Sequence, residues 1–361
     1  MMAAPIFASE RIACVQSQLA SLGYDIGVID GQIQPQTRTA TRAAFRDIGE
    51  HTKLILPFDD RRAGQWCRQL GLGNVDLQAA WPSQNAACIY TDQFENALKQ
   101  AMLSKAEATA RQFFKDQFGI SLAGSFALIG TEDPEHVNPL LNTALAERGV
   151  RPRKSPLDFE KICQGRKIGA AANREFITMC WQKPDAYNSA WANQISPRLT
   201  AILVHEFMHQ TQYELAIDIP ARRLSNNKDW LLGPSWMIEG SAEVVEEIFQ
   251  NADAQTSDGN TLFTMQKPAR RARVLLSDLN KSGAVNDSAD YGTARFAAYI
   301  LAQKHGVQSL FDYFRALDDT EDRDAAFRQV FGQSLGSFEV EFETVRRDFG
   351  AARKYIKKGT P

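Results

Sequence analysis

The sequence predicts an α+β protein with a small all-helical module in front. Three observations carry that prediction. Apolar residues recur at spacings of three and four before residue 72 and again after about residue 197, the period of a helix face. Short apolar runs that read as strands cluster between residues 125 and 181. Strands first and helices afterwards is the α+β order. Bulk properties agree. At 361 residues the chain is long enough for two domains and a real core. Its 44% hydrophobic and 23% charged residues are ordinary for a globular chain and argue against a disordered one. A formal charge of −2, from 41 basic and 43 acidic side chains, argues against a dedicated nucleic-acid binder. No apolar run approaches the roughly 18 residues of a membrane span.

The first stretch, residues 8–72, reads as three helices. Arg11 to Leu22 puts Ile12, Val15, Leu19 and Leu22 on one face, and Gly23 ends the helix. Asp30-Gly31 is a turn. Thr37 to Phe45 is a second helix, with Ala40, Ala44 and Phe45 inward, and Asp59 to Leu70 is a third. Residues 73–89, around Trp81-Pro82-Ser83, read as a linker. The second domain, residues 90–361, opens on a capping box of Asp92 and Glu95 and a helix to about Phe118. Phe94, Leu98, Ala101 and Met102 share one side of it. Ser125 to Gly130 is a strand, residues 134–148 a helix, and Lys167 to Trp181 two short β runs around Asn173. Ser196-Pro197 supplies an N-cap followed by proline at the first helical position, and the remainder is mostly helical.

The five cysteines, Cys14, Cys67, Cys88, Cys163 and Cys180, form no CxxC pair, which gives no support to a thiolate zinc site. Proximity suggests Cys14 with Cys67 and Cys163 with Cys180. Such bridges suit an oxidising compartment, and buried free thiols suit the cytosol equally well. The start, MMAAPIFASE, lacks the basic n-region and apolar stretch of a signal peptide.

The sharpest chemical signal is His205-Glu206-Phe207-Met208-His209. Positions four apart share a helix face, so both imidazoles can reach one metal ion, and Glu206 points toward its open side. There a carboxylate can take a proton from water and pass it to a leaving amine. Ala201 to Val204 is apolar all round, so the helix is buried. Two histidines and a glutamate are costly there without partners, and a metal would satisfy them. A catalytic zinc usually takes three protein ligands. Glu239, in Pro234-Ser235-Trp236-Met237-Ile238-Glu239-Gly240-Ser241-Ala242-Glu243, is the best third candidate. It lies 30 positions after His209, enough for a loop and an antiparallel return. Glu243, one turn later, could accept a hydrogen bond from the back nitrogen of a ligating histidine.

HEFMH followed by WMIEGSAE resembles the gluzincin metallopeptidases, in particular their peptidase MA-like branch. The resemblance implies a zincin-like catalytic domain with a mixed sheet and a helical C-terminal part. It implies Zn2+ held by His205, His209 and Glu239, with Glu206 as general base. The spacing is longer than in the aminopeptidase branch and no exopeptidase motif is evident, which favours an endopeptidase. Gluzincins also place a Tyr or His donor near the oxyanion. Tyr291, in Asp290-Tyr291-Gly292-Thr293, matches that role by its place at a helix start, with Arg295 as the alternative. His305 reads as a structural residue before Gly306. His51 and His136 fall in polar loops. Gly169 to Asn173 has the small side chains of an edge strand that could pair with a peptide, and a plain buried strand fits equally well.

Val15-Gln16, Leu19, Leu22-Gly23-Tyr24, Asp30-Gly31 and Pro35-Gln36-Thr37-Arg38 resemble the peptidoglycan-binding-like domain, a three-helix module. Gln34 stands where that family usually has glycine. The resemblance implies a peptide or protein substrate at the cell envelope, peptidoglycan as a further partner, and a periplasmic or secreted location, with the cytoplasm left open. A rival reading is a non-catalytic wall-binding or scaffold protein with a structural zinc. A third, in which the first module covers the active site, lacks the cysteine switch motif of enzymes that work that way. The basic C-terminal end, from Arg346-Arg347 to Lys357-Lys358, reads as a solvated helix face, with an anionic envelope surface as the other option.

Overall fold

The computed structural model describes residues 9–47, 63, 66–67, 88–92, 96–121, 126–147, 168–173, 175–216, 233–251, 259–281, 283–320 and 322–357. They are mostly helical with one small, four-stranded mixed sheet, an α+β composition. Among them, no helix is long and apolar enough to cross a membrane. The chain divides into two compact units. One comprises residues 1–112, 125–171 and 175–203, the other residues 113–124, 172–174 and 204–361.

In the first unit, α1 (Glu10–Ser21) starts where the Ser9 side chain accepts the Ile12 N–H. Its apolar face, Ile12, Val15 and Leu19, shares a core with Ala40, Ala44 and Phe45 of α2 (Pro35–Asp47). Of the third helix expected over Asp59–Leu70, only Ala63, Trp66 and Cys67 lie among the described residues. All three are buried in that core, and Cys67 is disulfide-bonded to Cys14 as expected. Cys180 is also disulfide-bonded. Its expected partner Cys163, His51 and the linker up to residue 87 lie outside the described residues. Gln16, fully buried, organises the loop between α1 and α2. Its Oε1 accepts the N–H groups of Asp30 and Gly31, and its amide nitrogen reaches Asp30 Oδ1, Gln32 O and Thr37 Oγ1.

The sheet runs β1-β2-β4-β3. Strands β1 (Cys88–Thr91) and β4 (Phe176–Trp181) flank β2 (Ala127–Thr131) in parallel. Strand β3 (Ile168–Ala172) closes the far edge beside β4. Parallel neighbours need a long crossover, and α3 (Asn96–Phe118) supplies the one from β1 to β2. Helix α4 (Pro134–Glu147) covers the sheet through Val137, Leu141, Ala144 and Leu145. His136 lies in its first turn rather than in a loop. At the carboxyl ends of β1 and β2, Lys99 is wholly buried, 2.5 Å from Asp92 and 2.7 Å from Glu132. Asp92 also accepts the Thr131 hydroxyl. Burial alone would raise the Asp92 pKa, and the Lys99 and Thr131 bonds reverse that and lower it. Glu95, its expected capping partner, lies outside the described residues.

One helix boundary differs from expectation. Helix α5 (Ser189–Leu215) begins seven residues before Ser196, with Pro197 inside it. The Asn188 side chain caps the true start by accepting the Trp191 N–H. Trp191 then packs on Tyr187 and Trp181, which anchors the first turns. An interior proline removes one helix bond and crowds the preceding turn. Here the capped, aromatic first turns hold that segment helical.

Among the described residues, the second unit is mainly helical. Helix α6 (Ser235–Gln250) starts after Pro234, as the sequence suggests. Then come α7 (Gly259–Arg271), a short 3-10 turn (Leu276–Asn280), α8 (Ser288–His305), α9 (Gln308–Thr320), α10 (Arg323–Phe331), α11 (Leu335–Val345) and α12 (Phe349–Lys357). Asp287 caps α8, accepting from the Ala289 and Asp290 N–H groups. Gly240 lets α6 and α8 touch: a Cβ there would lie 2.2 Å from the Ala294 carbonyl oxygen. Trp236, fully buried, donates from its indole to Glu339 of α11 at 3.2 Å. His305 ends α8 before Gly306 and packs on Phe331, consistent with a structural role.

Candidate metal centre

The C-terminal part of α5 and the first half of α6 bring His205, His209 and Glu239 together. Both histidine Nε2 atoms lie 3.6 Å from Glu239 Oε2. That is too long for a hydrogen bond. It is close to the separation of about 3.3 Å between two ligands bonded at about 2.0–2.1 Å and a tetrahedral angle to one ion. The ligand atoms of the three residues lie within 4.8 Å of one another. The set could hold a metal ion, and its donors, two imidazoles and a carboxylate, are of the kind zinc takes.

The back nitrogen of His209 has a partner that sets its tautomer. His209 Nδ1 lies 3.0 Å from Gln212 Oε1. The Gln212 amide is oriented by its other end, which donates to the Ile238 carbonyl at 2.9 Å and to Ser241 Oγ at 2.9 Å. A backbone carbonyl only accepts, so Gln212 Oε1 must accept from a protonated His209 Nδ1. That leaves Nε2 facing Glu239, which favours a proton there in the metal-free protein. His205 Nδ1 faces carboxylates, Glu246 at 3.4 Å and Glu243 at 3.9 Å, and its Nε2 faces Glu239.

A second carboxylate stands beside the expected one. Glu243 was the expected acceptor behind His205, yet the nearer carboxylate is Glu246, whose other oxygen accepts from Gln250 at 2.6 Å. Glu243 turns its second oxygen toward Arg295, 3.9 Å away. The rotation of α6 explains the change. Glu246 lies seven residues, two turns, beyond Glu239 and is the more buried of the two. That spacing was visible in the sequence. So was Gln212, three residues after His209, though neither stood out.

Electrostatics follow from burial and crowding. Burial would push His205 and His209 down. For His205 the Glu239 and Glu246 carboxylates override it and hold the pKa well above the ordinary value, and for His209 Glu239 does the same. Burial would push Glu239 up, but His209 and His205 hold it below the usual carboxylate range. Glu206 is raised, because its burial outweighs the pull of His205 and His209. A buried carboxylate with a raised pKa beside two ligating histidines is suited to accept and return a proton.

Tyr291 sits half-buried in the first turn of α8. Arg295, one turn later, binds Glu247 at 3.3 Å and approaches Glu243, so the alternative oxyanion donor is occupied as an ion-pair partner. Tyr213, four residues after His209 on the same helix face, was not anticipated. Burial raises its pKa, and the charge of Glu239 adds to the shift. Gln210 donates to the Asn173 carbonyl, at the end of the edge strand β3. No family model, curated protein or solved structure matches this chain.

Proposed function

We propose that the protein is a zinc-dependent metallopeptidase of the gluzincin kind, an endopeptidase acting on wall peptides or proteins of the cell envelope. The observation that supports this reading best is the arrangement around His205: three convergent ligand groups, both back nitrogens held by acceptors, and a buried Glu206 alongside. A purely structural zinc has no use for Glu206. When bound by His205, His209 and Glu239, zinc would supply Lewis acidity at the scissile carbonyl and acidify water. Glu206 takes the proton from the attacking water and delivers it to the departing amine. Tyr291 donates its phenolic proton in a hydrogen bond to the developing oxyanion. Gln212 and Glu246 keep the two ligating rings in the required tautomer.

The Cys14–Cys67 bridge supports an oxidising compartment, the periplasm or the outside of the cell. The helical front module, with its Gln16-centred loop, is read as a peptidoglycan-binding element. Metal analysis of wild type and Glu239→Ala side by side tests the proposal first. One zinc per chain in wild type, lost in the variant, and zinc-dependent cleavage of casein or wall peptides support it. Wild type that takes up no zinc after supplementation, or Glu206→Gln that cleaves as fast as wild type, would overturn it.

A further inference from the structure

Charge is unevenly distributed in this chain. Residues 259–275 hold Lys267, Arg270, Arg271 and Arg273 and no acid. Residues 346–358 hold Arg346, Arg347, Arg353, Lys354, Lys357 and Lys358 against Asp348 alone. The first stretch carries four positive charges and the second a net five, nine in all, so the rest of this −2 chain nets −11.

The fold packs the two stretches together in the second unit. Gln266 donates to the Val345 carbonyl at 2.9 Å, and the buried Arg346 guanidinium donates to Ala269 O at 3.0 Å. The rings of Phe263 and Phe349 meet edge-on at 6.2 Å. Helix α7 buries Leu262, Met265, Gln266 and Ala269 and exposes Phe263, Lys267, Arg270 and Arg271. Phe263, Lys267 and Arg270 form one stripe at helical spacing. On α12, Phe349, Arg353 and Lys357 form a second stripe, and Arg353, Lys354 and Lys357 line a hollow of about 470 Å³ with Gly350. Two basic stripes thus meet at an aromatic pair.

Two of the neighbouring acids are engaged, while Glu341 is exposed and its charge reaches Tyr355 of α12. Glu343 binds Arg346 at 2.8 Å and Arg347 at 3.3 Å. Asp348 accepts the Ala351 N–H. Phe263 is 51% exposed and Leu275, just past α7, is 43% exposed. Large apolar side chains left open among arginines are the composition of an interfacial face, one that lies on anionic headgroups and seats its apolar groups at the acyl boundary. A purely electrostatic partner has no use for Leu275.

We propose that this face, the outer stripe of α7 together with α12, docks the protein on an anionic lipid bilayer. The proposal is independent of the metal centre, which is read by zinc content alone. The test is co-sedimentation of the full chain with phosphatidylcholine vesicles and with vesicles containing about one-third phosphatidylglycerol. Binding is expected only to the anionic vesicles, and it weakens as salt is added. The triple variant Lys267→Ala/Arg270→Ala/Arg271→Ala binds on the order of a hundredfold more weakly, from about fivefold per basic residue. Phe263→Ser, with every charge kept, weakens binding severalfold, a loss a simple polyelectrolyte contact would not register. Lys354→Glu/Lys357→Glu repeats the charge test on the other helix, should the α7 variant fail to fold. Failure to bind anionic vesicles at low salt overturns the proposal, as does wild-type binding by well-folded variants from both helices. Retention on heparin without vesicle binding also overturns it, in favour of a polyanionic polymer.

Discussion

Both units bury ionisable groups, and the two clusters are built on opposite plans. At the sheet, Lys99 lies 2.5 Å and 2.7 Å from the carboxylates of Asp92 and Glu132, fully enclosed. The cation is a side chain, and the cluster completes itself. In the helical unit, Glu206, Glu239, Glu243 and Glu246 gather round two histidines, and both histidines stand 3.6 Å from Glu239. Arg295 approaches only Glu243 and Glu247. Spacing therefore separates a finished ion pair from a ligand set: contact distance in one, the width of an ion in the other.

The comparison can be broken most decisively at its catalytic end. Glu206→Gln should retain zinc and lose roughly 10³-fold in turnover, within the range of general acid–base catalysis. Zinc content and kcat on one sample check this, and loss of the metal would show that Glu206 serves the site's structure. Next in size, Lys99→Met strands two half-buried carboxylates and should cost about 2–3 kcal/mol. Its melting temperature should fall equally with zinc or with chelator. Glu239→Gln should behave differently, losing in chelator the stability its carboxylate draws from His205 and His209, and losing in zinc the increment that zinc adds as well. That increment is about 2.7 kcal/mol when free zinc is a hundred times Kd.

Smaller effects sharpen the picture. Glu246→Gln and Gln212→Ala should each weaken zinc binding about 10–100-fold, measured by competition with a chromophoric chelator. Glu243→Gln should do less, and the reverse ranking would restore Glu243 as the acceptor behind His205. The pH dependence follows from the shifts. In the metal-free protein, His205 and His209 are raised, so their contribution is full below the unfolded value of about 6.5 and is lost as pH rises through the folded value. Glu239 is lowered, so its contribution is present above about 4.3 and lost as pH falls through its folded value. Metal needs neutral histidines. Stabilisation by added zinc should therefore grow as pH rises from mildly acidic through neutral, seen as a widening gap between melting curves with zinc and with chelator.

Much of this was legible in the sequence because it depends on local spacing. His205 and His209 four apart, Pro234-Ser235 before α6 and the paired β runs around Asn173 all need only helix and strand periods. What escaped notice depends on partners far along the chain. Pro197 looked like a helix start because the aromatic anchor of Trp181 on Trp191 that holds the preceding turns is tertiary. Glu243 and Glu246 both follow Glu239 at helical intervals, and only the packed rotation of α6 ranks them. The burial of Lys99 depends on carboxylates supplied from the ends of β1 and β2, one of them near it in sequence and the other far.

Gly240 carries a consequence for how such a chain can change over generations. The Ala294 carbonyl lies where a methyl group would have to go, one residue from Glu239. Helix separation and ligand placement are therefore one degree of freedom. A lineage drifting to alanine at position 240 would shift Glu239 away from His205 and His209 with all three side chains intact, so the residue with no side chain is as hard to replace as the three around it.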